Sequence, residues 1–149
     1  MMQATPDVDS RQIVGTWKLV SYVVEVQENG TIINVMGDAP TGYVAFLPSG
    51  RVFFVLTAEG RRPDPDHSAE GHALLLDTMV AYTGTYRTEE DRWITRVEVA
   101  WNPEWIGTEQ TRFFKLEGDS LKVMTPWRLM PNWASHGMTR SIISFERGT

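Results

Sequence analysis

Residues 15–27, GTWKLVSYVVEVQ, read as one long strand, because β-branched and aromatic residues crowd the stretch and no glycine or proline interrupts it after Gly15. The chain then meets Glu28-Asn29-Gly30. Asn-Gly tolerates positive φ at both positions, so it predicts a hairpin into residues 31–35. Working outward, the same signal repeats. After Gly37-Asp38-Ala39-Pro40, residues 42–47 and 51–57 form a second predicted hairpin around Pro48-Ser49-Gly50. Strands resume at 82–88 and 93–101, then 108–116, 121–125 and 138–146, with polar or glycine-bearing turns between most of them. One stretch differs: Ala69, Ala73, Leu74, Leu76 and Val80 keep a helical period, which predicts a helix over 69–81 with Asp66 or Ser68 as its cap. About nine strands and one helix predict an all-β fold. The spacing also fits a sandwich, but the long first strand and the single helix favour an antiparallel barrel of 8–10 strands, closed or nearly closed, in which closure removes exposed edges.

Composition narrows the function. At 149 residues the chain fits a single domain, 1–149, with 1–12 expected to be a flexible N-terminal segment. Cysteine is absent, which removes disulfides, thiolate metal sites and cysteine nucleophiles. Fourteen Lys and Arg against nineteen Asp and Glu give a formal charge of −5 without basic blocks, so nucleic acid is not an expected partner. No apolar run approaches a membrane span and the N-terminus has no secretory core, so a cytoplasmic location is expected. Six Trp, six Phe and four Tyr must either fill a core or line a ligand cavity. Homodimerisation is left open.

Gly15-Thr16-Trp17 carries a Gly-x-Trp signature, and GTWKLVSY is followed in order by GDAPTGYVAFLPSGRV, AYTGTY, NPEWIGTEQTRFFKLEGDSLKV and a last strand ending FER. From Gly15 to Arg147 the chain therefore resembles the bacterial and fungal lipocalin-like domain family. The resemblance implies a calycin-type barrel with capacity for a small apolar or amphipathic ligand. It brings no assigned activity with it. It also implies a structural role for Trp17 at the closed barrel end, beneath an arginine of the last strand, Arg140 or Arg147.

The polar candidates sit on residues 93–116. An antiparallel pairing with Asn102 opposite Thr108 sets Ala100 against Gln110, Glu98 against Arg112 and Arg96 against Phe114, all on one face. If that face is solvated, Glu98 and Arg112 form a surface pair of about 0–1 kcal/mol. If it faces the interior, Glu98, Gln110, Arg112 and Phe114 line a ligand cavity, with Tyr43 and Tyr86 on its wall and Trp105, Trp127 or Trp133 near its mouth. An alternative activity, an isomerase, cyclase or dehydratase, would use Glu98 for proton transfer beside Arg112. His67 and His72 lack metal-ligand spacing, and His136 alone could offer an axial ligand to haem. No phosphate-binding or dinucleotide glycine motif occurs, so no cofactor and no metal are expected.

Overall fold

Ten strands occur in the computed structural model, which describes residues 10–148: β1 (Gly15–Val26), β2 (Ile32–Ile33), β3 (Thr41–Phe46), β4 (Arg51–Thr57), β5 (Met79–Glu89), β6 (Arg92–Ala100), β7 (Glu109–Glu117), β8 (Ser120–Met124), β9 (Arg128–Leu129) and β10 (Met138–Arg147). Every pairing is antiparallel. The sheet runs β2-β1-β3-β4-β5-β6-β7-β8-β10-β9, and β1 also pairs with β10. Eight strands therefore close into a barrel, with β2 and β9 as short additions, which meets the expectation from turn spacing. Most of the expected segment 1–12 lies outside the described residues. A short helix, α1 (Ser10–Ile13), leads into the barrel.

The predicted helix forms as α2 (Ala69–Asp77), four residues shorter than its periodic pattern. Ser68 is its cap, accepting from the Gly71 amide, and Asp64 in turn accepts from the Ser68 amide. It ends at Thr78, and Val80 and Tyr82 enter β5 as inward residues, since two-residue alternation fits them as well as a helical period does. The helix buries none of its own side chains. Asn132, from the turn at Pro131–His136, ties its end to β5 by donating to the Asp77 and Met79 carbonyls.

One barrel end is packed shut. Trp17 is fully buried, its indole N–H donates to the Ile13 carbonyl at 2.8 Å, and Phe46, Trp93 and Phe145 belong to the same core. Arg147, the cross-strand partner of Trp17, lays its guanidinium 3.8 Å from the centre of the Trp17 ring. The same guanidinium donates to the Val14 and Gln12 carbonyls, so it fastens the N-terminal helix under the barrel. This corrects the expectation for Arg140. Register places Arg140 opposite Glu25, seven pairs along the strand from Trp17, where it binds the Glu25 carboxylate at 2.8 Å and stacks on Trp127.

The β6–β7 register also departs from expectation. Trp93 lies opposite Arg112 and Thr95 opposite Gln110, a displacement of five residues from the expected pairing. The connection is not a tight reversal at Asn102–Thr108. A 3-10 turn at Pro103–Trp105 carries the Trp105 ring into the barrel, and the strands rejoin where the Gly107 amide meets the Val97 carbonyl. An indole buries 150–250 Å², so at about 25 cal/mol per Å² its burial is worth roughly 4–6 kcal/mol at most, a contribution that favours this register.

Candidate functional site

An odd shift reverses which residues of β6 face the interior. Trp93, Thr95 and Val97 point in from β6, while Gln110, Arg112 and Phe114 point in from β7. Glu98 is thereby sent to the outer wall, where it pairs with Arg51 at 2.7 Å. The expected unit of Glu98, Gln110 and Arg112 is divided, with two members inside and one outside. Both partners of the Arg51–Glu98 pair are more than a third exposed, so Glu98→Gln is expected to change stability by less than about 1 kcal/mol in urea unfolding.

The remaining expected residues separate as well. Tyr43 stands on the outer wall, 48% exposed, beside its cross-strand neighbour Val55. Tyr86 is half-buried, its ring edge-on to Phe46 at 5.1 Å and its hydroxyl donating to the Leu47 carbonyl. Phe114 packs on Trp93 at 5.5 Å within the aromatic core. Gln110 donates to the Thr108 hydroxyl, which donates to the Trp105 carbonyl at 2.6 Å, so the amide holds the Trp105 turn. His67, His72 and His136 are exposed, and among the described residues no three metal-ligating side chains come together.

At the barrel end opposite Trp17 the interior becomes polar. The buried polar side chains among the described residues are Thr95, Arg112, Thr125, Thr139 and Ser141, every one of them able to donate and none acidic; Thr95 sits on β6 between Tyr86 and Gln110. Arg112 is only 4% exposed; it donates to its neighbour's carbonyl at Thr111, faces the Tyr82 hydroxyl and lies over Trp105. Arg128 enters from β9, opposite the inward-facing Thr139. One of its terminal nitrogens donates to the Ser141 hydroxyl at 3.1 Å, and Ser141 is 2.7 Å from the Tyr22 hydroxyl. Its Nε and Nη1 are buried without partners, as is the Thr95 hydroxyl. Trp133, edge-on to Tyr22 and bonded to Thr139, and Trp105, packed on Tyr82 and Trp101, cover this polar end.

Arg128 was missed by sequence reasoning. It lies in a two-residue strand within a loop, where alternation has no length over which to register. The electrostatics are one-sided. No ion pair among the described residues includes Arg112 or Arg128. Burial pulls the Arg128 guanidinium below its ordinary range, and the nearby charge of Arg112 lowers it further.

Burial raises the Tyr82 phenol above its ordinary value of 10.0, against the opposing pull of Arg112. A folded-state pKa above the unfolded one means that the native state holds the proton longer. The associated stability is complete below the unfolded value and is lost as pH climbs from there through the folded value. Thermal melts should therefore show wild type losing stability above about pH 10 more steeply than Tyr82→Phe. Parallel curves would contradict a strained phenol at this position.

The hollows of 440, 330 and 260 Å³ lie outside the barrel, the largest between α2 and residues 59–64. The polar end is instead closed over by its tryptophans. Among the described residues no helix is long and apolar enough to cross a membrane.

A family model described as a lipocalin-like domain matches residues 14–148. No curated protein matches the chain significantly. A similar solved structure is that of an uncharacterized protein from Bacteroides eggerthii DSM 20697, at 12% identity and a TM-score of 0.42, covering 91% of this chain and 99% of the other. That likeness is too loose to carry an argument.

Proposed function

The chain belongs to the lipocalin-like domain family, and from that footing we propose that it binds a small amphipathic molecule inside the barrel, at the end opposite Trp17. The observation that carries this reading is the gathering of Arg112, Arg128 and Ser141 within walls made by Tyr22, Tyr82, Trp105 and Trp133. Few polar groups fixed inside an apolar, aromatic enclosure are what orient a small ligand. A core serving stability alone would hold apolar side chains there, because each buried polar group without a partner costs about 1–3 kcal/mol. The ligand's apolar body would displace the Trp105 or Trp133 ring, both borne on short 3-10 turns outside the barrel ladder.

An acid–base isomerase or cyclase is the weaker reading. Glu98, the proton-transfer group on which it relied, stands on the outer wall beside Arg51. A binder returns its ligand unchanged, and we place such a binder in the cytoplasm. Titration of the protein with octanoate and with octan-1-ol, read by tryptophan emission, tests the proposal. Saturable one-to-one quenching by at least one of them is expected, altered by Trp105→Phe. No saturable change with either would count against a ligand-binding barrel.

A further inference from the structure

Resting on that reading, we propose that the ligand's polar head is an anion, a carboxylate or a similarly small oxyanion, held between the guanidiniums of Arg112 and Arg128.

Two cations share the barrel interior, and the groups around them are hydroxyls, indoles and carbonyls rather than carboxylates. Their mutual repulsion acts in a low-dielectric setting, where charges ordinarily occur paired. All the ion pairs recorded among the described residues involve Arg51, Arg87, Arg92 and Arg140. The acidic residues Glu25, Glu89, Glu98 and Glu109 thus have their cations elsewhere. Arg128 keeps two buried N–H groups, on Nε and Nη1, with no acceptor, although Ser141 and Tyr22 lie beside it.

Each of those features suits a bound anion and disfavours a bound cation or a plain hydrocarbon. An incoming carboxylate would accept from the free Arg128 donors and neutralise part of the charge of both guanidiniums. Burial holds the Tyr82 phenol above its ordinary value, so at neutral pH it adds no competing negative charge. The apolar body extending from the head takes the place of one of the Trp105 and Trp133 rings and is covered by the other.

The matched probes octanoate and octan-1-ol share a tail and differ in the charge of the head. Octanoate is expected to bind at least about tenfold more tightly than octan-1-ol, a difference ascribable to charge-assisted hydrogen bonds. Arg112→Met and Arg128→Met should each weaken octanoate binding more than octan-1-ol binding, removing most of that preference. Circular dichroism and thermal melts of both variants establish that they fold, and Arg112→Lys and Arg128→Lys, which keep the charge, should retain part of the octanoate preference if either methionine variant does not. Equal affinity for the two probes would overturn the anion proposal while leaving the ligand-binding barrel standing. Failure of both probes would remove the barrel reading itself. Inorganic phosphate competing with octanoate only weakly supports a head attached to an apolar body, whereas phosphate binding as tightly as octanoate would overturn the amphipathic ligand in favour of a free oxyanion.

Discussion

Trp17→Ala is expected to lower the unfolding free energy by about 3–5 kcal/mol, the range for removing a buried indole. Trp17 has no solvent exposure, and its loss empties the packed end of the barrel. It also strips the Ile13 carbonyl of its donor and leaves the Arg147 guanidinium without the ring face it covers. Gly15 fixes the approach, since a Cβ at that residue would lie 3.0 Å from the Arg147 Nη1 with φ at +128°. Arg147→Met is the milder control: a cation over an indole contributes about 0.5–2 kcal/mol, so urea unfolding should rank Trp17→Ala well below Arg147→Met and both below wild type. A loss under about 1 kcal/mol for Trp17→Ala would mean that this end is not the closed end.

A second large effect is expected at Gly84, for a backbone reason. A side chain there would collide with the Arg96 carbonyl oxygen and crowd the Val97 Cα across the β5–β6 ladder. The register shifts between Thr83 and Gly84, a bulge that lets the two strands approach closely. A carbonyl held in a ladder cannot rotate away as a flexible side chain would. Gly84→Val should therefore cost about 3 kcal/mol, the upper end for overpacking, and speed amide hydrogen exchange along Val80–Val97. Unchanged protection of those amides would contradict the pairing.

The barrel was largely legible in the sequence because its strands are long enough for alternation and are separated by turn chemistry. Pro48-Ser49-Gly50 does join β3 to β4, and Ser68 does cap the helix. Trp17 takes the place that family resemblance implied. The site was legible only in part, for a reason that sits in one loop. Asn102 and Thr108 look like the two sides of a tight reversal, but Pro103 starts a 3-10 turn that buries Trp105 in the barrel instead of extending the ladder. That tertiary preference moved the register by an odd number of residues, and with period-two alternation an odd shift exchanges inside for outside. Gln110 and Arg112 kept their inward direction, while Glu98 lost its own. Arg128 carried no local signal, because what aims it inward is its pairing with Thr139 on a strand ten residues further along.

The stability of the double variant Arg112→Met/Arg128→Met, measured by urea unfolding without ligand, tests the central claim most directly. If the two guanidiniums are an uncompensated pair retained for an anion, their replacement by apolar side chains of similar length should leave the fold as stable as wild type or more stable by about 1–4 kcal/mol. The alternative read from the sequence in which Glu98 and Arg112 both face the interior would instead predict a loss of about 3–5 kcal/mol for the Arg112 change. A double variant that is equal to or more stable than wild type, yet stabilised by octanoate no more than by octan-1-ol, is the result this account predicts. A double variant that loses several kcal/mol would contradict it, and would make the two arginines part of the scaffold.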